Sequence, residues 1–387
     1  MTILKNTYLD NFLNVFRREL RRMTSRRIYF TSCIVLPLFS LVFMATIFGH
    51  GQMENLPVGV VDADHTSLSR SIVQMVDATP ELQVTKQYAN ETEARKAIQR
   101  KEIYGYLLIP SGIKSLCYYY HNAMLSVGGE LHSTFETILK QVSVTPIVTE
   151  AVGLGESQTN ITSFLIPVSE EEMVSYNPNR NYAIYLTQPF FFVFLQVLLL
   201  LVTTYALGSE SKFGTSDEWL QMAKGNIGIA VIGKLLPYTF IFMVMGVLAN
   251  VVFFNWMQMP LPCSLWVING ITILFILATQ ALALLLYAIF PVLSLIISVV
   301  SMIGSLGATL SGVTFPVNFM DTPVYWTSFL FPIRHFVEVV QSLLYLGGTF
   351  SNYWTNLVVL LLFILSPILL LPRLKRALLT HRYETLE

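Results

Sequence analysis

The sequence predicts an α-helical polytopic membrane protein with six transmembrane helices and a small α/β domain outside the cytoplasm, between helices 1 and 2. Of the 387 residues, 53% are apolar and only 12% are charged, whereas soluble domains carry about 25% charged residues. No Asp, Glu, Lys or Arg occurs from Leu235 to Met320. Several spanning helices explain such a run, and a soluble core does not. Residues 49–180, in contrast, are polar and alternate between strand and helix patterns.

The first 27 residues are predicted to form a cytoplasmic, basic and amphipathic helix. They carry seven basic and two acidic side chains, and Phe12, Phe16, Leu20 and Met23 recur at helical spacing. This pattern is typical of a helix that lies in the headgroup layer, and a simple positive flank of the first span is a compatible alternative. Either interpretation places the N-terminus in the cytoplasm. The arginines on the other side are Arg17, Arg18, Arg21 and Arg22.

Residues 28–48 form the first predicted span, so the polar domain at 49–180 is expected outside the cytoplasm. Val58–Asp62 reads as its first strand, and Asn90 or Thr92 is expected to cap a later helix. Asp62 and Asp64 suggest a metal site, but alternating Asp residues after a strand more often accept hydrogen bonds from the backbone of a turn. We therefore expect no metal site in this chain.

Five more spans and two connecting segments complete the predicted membrane region, which covers residues 181–372. Six spans return the chain to the cytoplasm, so both basic ends lie on the same side. Residues 314–345 are apolar but broken by prolines, which indicates short helices that re-enter the outer leaflet. The basic tail at 373–387 contains Arg373, Lys375, Arg376 and Arg382. The predicted spans are 182–207, 227–253, 266–289, 292–313 and 354–372.

The cysteines are too few for a disulfide framework. The chain has three, Cys33, Cys117 and Cys263, and Cys33 lies inside the first predicted span. A disulfide between Cys117 and Cys263 is possible only if both face an oxidising compartment, so free thiols are the preferred interpretation.

The stretch GIAVIGKL, from Gly228 to Leu235, resembles the phosphate-binding loop of ATPases. That loop needs Ser or Thr after the lysine to bind magnesium, and it must follow a buried strand. Here Leu235 follows Lys234, and the stretch opens a membrane span. We therefore expect no nucleotide site, and we expect Lys234 to reach towards the lipid headgroups.

The loop at 208–226, between the second and third spans, carries a helix signal. Thr215 or Ser216 is the expected N-cap, since acidic residues follow in the first turn. Trp219 is expected to be exposed on this short helix. An exposed Trp indicates a contact with another protein, and a helix on the membrane surface is the alternative.

Three stretches of the chain, together with the order of the spans, resemble the transmembrane subunit of ABC-2 type transporters, also called type V ABC exporters. GVVDADHTSLSRSIVQMV resembles the start of the family's extracytoplasmic domain. Residues 210–220, ESKFGTSDEWL, are similar to its coupling loop, E-x-x-x-G-T-x-x-x-L. SGVTFPVNFMDTPVYWTSFLFPIRHFVEVVQSLLYLGG is similar to the segment before its last span.

This resemblance implies a permease subunit that is not an enzyme and binds no cofactor. A separate cytosolic ABC ATPase would bind ATP and magnesium and dock on the coupling loop. A second permease subunit, identical or related, is implied, and a periplasmic adaptor and outer-membrane channel often extend the route. The implied location is the bacterial inner membrane, with membrane lipid as a partner and no nucleic acid. The residues assigned to coupling are Glu210, Lys212, Gly214, Thr215, Glu218 and Trp219.

Within the spans, Gln196 and Gln280 are candidates for the translocation path, and hydrogen bonding to neighbouring helices is the alternative. No Asp or Glu lies in the middle of a span, which argues against an ion-coupled carboxylate relay and favours a hydrophobic or amphipathic substrate such as a drug or lipid. Glu210 and Lys212 are expected to pair with charges on the ATPase. The rival function is a receptor or sensor that is anchored in the membrane and transports nothing.

Overall fold

The computed structural model divides the chain into two compact units, Met1–Gly49 with Tyr176–Glu387, and His50–Ser175. It describes residues 2–49, 51, 53–112, 115–153, 177, 181–345 and 350–380. Residues 154–176 of the predicted α/β domain lie outside these ranges, and so does the basic residue Arg382 of the predicted tail.

The chain begins with two helices, α1 (Thr2–Ser25) and the first candidate span α2 (Arg27–Ile47). They are separate because Arg26 has an extended backbone, with φ −112° and ψ 118°. A π-helical turn, Thr31–Val35, lies just before Pro37 in α2. Proline lacks an N–H group, and a π-turn is one of the ways in which a helix accommodates this loss.

The unit at 50–175 contains a four-stranded sheet in the order β2-β1-β3-β4. β1 is parallel to both β2 and β3, and β4 is antiparallel to β3. Strands and helices alternate through β3, which confirms the predicted α/β character. The elements are β1 (Leu56–Asp62), α3 (Ser67–Asp77), β2 (Leu82–Gln87), α4 (Glu91–Gln99), β3 (Gly105–Ile109), β4 (Cys117–Tyr120) and α5 (Leu125–Gly153).

Asp62 closes the turn after β1, as predicted. Its Oδ1 accepts the backbone N–H groups of Asp64 and His65 at 3.0 and 3.1 Å, and its Oδ2 accepts the Ser69 hydroxyl at 2.8 Å. Burial by itself raises the pKa of Asp62, but these hydrogen bonds outweigh burial and hold the pKa below its usual value. Asn90 caps α4 by accepting the N–H of Glu93. Within the described residues, no group of three or more metal-binding side chains occurs.

The second part of the membrane unit supplies the other five candidate spans. Their number and order match the prediction, and Pro291 lies in the short break between two of them, as expected. All three cysteines are free in this structure, and the state of Cys117 and Cys263 stays a prediction because the two lie in different units. The elements are α6 (Ala183–Lys212), α7 (Ser216–Met222), α8 (Ile227–Trp256), α9 (Leu265–Ile289), α10 (Leu293–Leu310), α11 (Thr322–Ser328), α12 (Pro332–Tyr345) and α13 (Phe350–Leu379).

Aromatic side chains hold the centre of the membrane unit together. The rings of Phe275 on α9 and Phe336 on α12 stack with their centroids 4.5 Å apart, and Phe192 on α6 lies 4.7 Å from Phe336. Aromatic pairs at this separation add about 0.5–1.5 kcal/mol to the free energy of burial. The short helix α12 is therefore part of the helix bundle.

The segment between α10 and α13 consists of short helices, as predicted. A single 3-10 turn, Val317–Phe319, precedes α11 and α12. Arg334 and Glu338 pair on α12 at 3.8 Å, and the Arg334 guanidinium carbon lies 3.8 Å from the centroid of the Phe329 ring.

Candidate functional site

The loop between α6 and α8 reverses direction at Gly214, which has a φ of +61°. A Cβ placed on Gly214 meets nothing within 4 Å, so glycine is needed for its backbone conformation and not for space. Thr215 then occupies the N-cap position of α7, but its side chain makes no capping hydrogen bond. The predicted N-cap at Thr215 is therefore confirmed in position but not in its hydrogen bond: the Thr215 hydroxyl donates to the Glu210 carboxylate, and the Ser216 hydroxyl is buried without a partner among the described residues.

Trp219 anchors α7 to the membrane unit. The expected exposure of this side chain is wrong, since its exposed fraction is 0%. Its indole Nε1 donates to the Ala230 carbonyl at 3.2 Å, and the ammonium nitrogen of Lys234 lies 5.3 Å from its ring centroid. Trp219 therefore fixes α7 against the first turns of α8.

Glu210 lies at the centre of a buried ion cluster under this loop. Its carboxylate accepts two hydrogen bonds from Arg18, at 2.8 and 3.1 Å, and one from Lys234 at 2.6 Å. Arg22 donates to the same carboxylate. The expectation that Glu210 pairs with charges on an ATPase is therefore wrong for this structure, in which the side chain has no exposed surface.

Lys234 connects the cluster to a second buried carboxylate. Its ammonium group lies 2.7 Å from an oxygen of Glu19, and the Tyr238 hydroxyl donates to the other oxygen at 2.6 Å. The exposed fraction of the Lys234 side chain is 0%. The expectation that Lys234 reaches the headgroups is wrong, because two carboxylates hold it inside the protein.

The charges of this cluster balance once Glu218 is included. Arg18, Arg22 and Lys234 oppose Glu19, Glu210 and the half-exposed Glu218, whose carboxylate lies 3.6 Å from Arg18 Nε. Burial alone lowers the pKa of Arg18, but the hydrogen bond to Glu210 and the negative charges of Glu210, Glu218 and Glu19 together outweigh burial and raise the pKa.

Three helices and the loop meet in this cluster. Ion pairs of this kind often add little net stability over an apolar core, but loss of one partner costs about 3–5 kcal/mol. The cluster therefore holds α1, α6, α8 and the loop in one arrangement.

The same contacts explain GIAVIGKL. The stretch is continuous α-helix in α8 and forms no phosphate-binding loop. A Cβ on Gly233 would lie 3.1 Å from Val15 Cβ of α1, so this glycine allows the two helices to approach closely. Lys234 then reaches the carboxylates of Glu19 and Glu210. The motif is a helix-packing site with a buried charge.

The amphipathic interpretation of α1 needs a correction. Arg18 and Arg22 were expected to lie on the polar face, but they point into the cluster, and Leu20 is 45% exposed. The buried face of α1 is rotated from the expected one and consists of Asn11, Val15, Glu19 and Met23.

The exposed edge of the loop is small. Lys212, Gly214 and Glu218 are exposed, as is Phe213 at 49%. Arg26 lies over the Phe213 ring, 4.7 Å from its centroid. The coupling role of these residues stays a prediction.

The sequence interpretation missed a set of residues that the structure brings into this region. Of these residues, only Lys234 carried a signal in the sequence, because a lysine inside an apolar span indicates a buried charged partner. The missed residues are Arg18, Glu19, Arg22, Phe213, Lys234 and Tyr238.

The two candidates for the translocation path differ in their surroundings. Gln280 lies 2.5 Å from the Thr239 hydroxyl and donates to the Leu235 carbonyl at 3.4 Å, so it bonds to α8. Gln196 is 1% exposed, and neither atom of its amide has a partner among the described residues. Any role in a path stays a prediction for both.

A comparison with protein families matches residues 26–371 to a family described as ABC-2 family transporter protein. No match is found among curated proteins. The matched range includes all of α2 and most of α13, so it covers the α/β unit, the loop at 208–226 and the ion-paired parts of α6 and α8. The chain therefore belongs to the ABC-2 family of transporters, as a multi-pass membrane component.

Proposed function

We propose that this chain is the permease subunit of an ATP-driven exporter. A separate cytosolic ATPase docks on the loop at 208–226, and the chain moves a hydrophobic or amphipathic substrate out of the cytoplasm or the inner membrane. Membership of the ABC-2 family supports this proposal, because the family implies an ATPase component on another chain.

One observation carries the mechanical part of the proposal. The exposed edge of the loop is tied to the spans through Trp219, which is bonded to α8, and through Glu210, which is bonded to α1 and α8. A displacement of α7 by a docked ATPase would therefore move α1, α6 and α8 together. ATP binding on the partner would use this connection to shift the permease between states.

The interior of the spans supports the proposed substrate class. No charged residue occurs between Leu235 and Met320, so the spans in this range offer no partner for a charged solute. A second permease subunit, identical or related, would cover the faces of α10 and α13 that this chain leaves exposed. An adaptor and an outer-membrane channel would extend the route beyond the inner membrane.

The test is to exchange the charges on the exposed edge of the loop. The variant Lys212→Glu with Glu218→Lys keeps the net charge of the loop but exchanges the positions of the positive and negative charges that would face the ATPase. We expect it to co-purify with less ATPase and to lose ATPase stimulation by candidate substrates, while its thermal midpoint stays close to wild type. The measurements are the ATPase-to-permease ratio after purification in detergent and the rate of ATP hydrolysis.

A matched control is the variant Arg100→Glu with Glu102→Arg. These side chains form an exposed pair at 3.6 Å in the small α/β unit, so their exchange should leave ATPase binding intact. Normal ATPase binding and stimulation in the Lys212/Glu218 variant would contradict docking at this loop. Absence of any ATPase partner would favour the receptor or sensor function.

A further inference from the structure

An open pocket of about 540 Å³ lies beside the last turn of the loop, where α1, α8 and α13 meet. Residues of the loop end, the N-terminal half of α1 and the basic end of α13 line it together. The lining residues are Tyr8, Asn11, Ala223, Lys224, Gly225, Asn226, Ile227 and Lys375.

Two lysines make this pocket positively charged. Lys224 and Lys375 both line it, and neither has an ion-pair partner within the described residues. No described carboxylate lines the pocket. Gly225 has a φ of +74°, and a Cβ on it would lie 3.8 Å from the ammonium nitrogen of Lys375, so the cation is close to the backbone of the turn. An anion that enters would meet two cations and no competing acid.

Asn11 supplies an independent sign of a ligand. It is only 6% exposed and lines the pocket, yet its amide has no hydrogen-bond partner among the described residues. As an amide it can both donate and accept hydrogen bonds in the pocket. A ligand with hydrogen-bonding oxygen atoms would satisfy it.

The pocket also lies where the chain changes from polar to apolar. Ile227 begins the apolar helix α8, and Lys375 follows the apolar part of α13. Tyr8, which is 56% exposed, gives the rim an amphipathic ring of the kind found at headgroup depth. Basic pockets between spanning helices at this depth suit anionic lipid headgroups.

We propose that this pocket binds the phosphate of an anionic phospholipid headgroup. Lys224 and Lys375 pair with the phosphate, the Asn11 amide donates to a headgroup oxygen, and the acyl chains follow the apolar surface that starts at Ile227. The inference does not depend on transport, because binding is measured without an ATPase or a substrate.

The experiment measures lipid affinity by native mass spectrometry of the full-length protein in detergent. The probes are phosphatidylglycerol and phosphatidylcholine with identical acyl chains. We expect preferential binding of phosphatidylglycerol by wild type, and an affinity loss of about fivefold per lysine in Lys224→Gln with Lys375→Gln, since each cation attracts the anionic headgroup separately. The affinity for phosphatidylcholine should stay close to the wild-type value.

A matched control removes two exposed arginines outside the pocket, Arg17→Gln with Arg376→Gln. It lowers the net charge equally and should keep the affinity for phosphatidylglycerol. An equal loss in the control would overturn the proposal in favour of general surface attraction. If the double lysine variant does not elute as a folded species, Lys375→Gln and Asn11→Leu, each made alone, replace it. We expect each to lower the affinity for phosphatidylglycerol, by about fivefold in the lysine variant.

Two further results would overturn the proposal. Displacement of phosphatidylglycerol by inorganic phosphate would assign the pocket to a soluble phosphate compound, because a lipid site also uses the acyl chains. Unchanged lipid affinity in the lysine variant, together with loss of the co-purified ATPase, would assign the two lysines to an acidic segment of the ATPase.

Discussion

Glu210 accepts hydrogen bonds from three basic side chains that belong to two other helices. Arg18 and Arg22 come from α1, and Lys234 comes from α8. Because the carboxylate is fully buried, each of these cations depends on it for compensation. Glu210 of α6 therefore adds to the contacts by which Glu19 and Val15 hold α1 against α8.

We expect Glu210→Gln to destabilise the protein by about 3–5 kcal/mol, because it leaves buried cations without a matching charge. The measurement is the thermal midpoint of the purified protein in detergent. Adding Arg22→Gln to Glu210→Gln should restore part of this loss, since Glu210 is the only described carboxylate that pairs with Arg22.

Glu218→Gln is the control for this prediction. Glu218 belongs to the same cluster, but its side chain is 57% exposed, and exposed pairs contribute about 0–1 kcal/mol. Equal midpoints for the Glu210 and Glu218 variants would show that the buried cluster does not hold α1 in place.

Gln196 presents the opposite case, a buried amide with no described partner. We expect Gln196→Leu to raise the thermal midpoint, because an unpaired buried polar group costs about 1–3 kcal/mol. If the amide contacts substrate, the same variant should show less substrate stimulation of the partner ATPase. Gln280→Leu is the comparison and should lower the midpoint, since Gln280 is bonded to α8. A lower midpoint in the Gln196 variant would contradict this assignment.

At the scale of elements, α7 is a short helix that cannot be stable alone, since isolated helices below about 12 residues are marginal in water. Its seven residues, Ser216–Met222, are held by the burial of Trp219 and Leu220. The same contacts that keep α7 folded also connect it to α8. Its stability and its proposed mechanical role therefore have one origin.

We expect Trp219→Ala to cost about 3–5 kcal/mol, as for other large aromatic side chains removed from a core. Hydrogen exchange of residues 214–226 should become faster, and binding of the ATPase should weaken with it. Trp219→Phe should give an intermediate result, because it keeps most of the ring but loses the bond to Ala230. Glu218→Ala, which changes an exposed position on the same helix, should leave exchange near the wild-type rate. Unchanged exchange in the alanine variant would show that Trp219 does not anchor α7.

The helix α1 shows which features of an element a local sequence pattern predicts and which it does not. Its helical character was predictable from the spacing of its apolar residues, and its boundary at Arg26 lies close to the predicted end. The direction that its arginines face was not predictable. A basic side chain at the helix surface is satisfied equally by lipid phosphates or by a carboxylate from another helix, and only the packed structure distinguishes them.

For the whole molecule, the six spans and the two basic ends predict a single arrangement across the membrane. In this arrangement the small α/β unit lies outside the cytoplasm and the loop at 208–226 lies inside. Docking of a cytosolic ATPase on the loop requires this orientation.

We expect a membrane-impermeant maleimide to label Cys117 in intact cells, because this thiol is exposed on β4. The variant Cys117→Ser should lose this signal. In a background with Cys117→Ser and Cys263→Ser, Glu218→Cys should be labelled only after the cells are permeabilised. Labelling of Glu218→Cys in intact cells would place the loop outside and separate it from any cytosolic ATPase.

The sequence by itself determined the number and order of the spans and the presence of the small α/β unit. These features follow from apolar runs and local periodicity, and the free energy of burying such runs in a membrane is a property of each segment. The tertiary structure alone decided that Trp219 is buried, that Lys234 is paired inside the protein and that Glu210 holds α1. Arg18 and Glu210 are separated by 192 positions, and no local pattern records a contact between side chains so far apart in the chain.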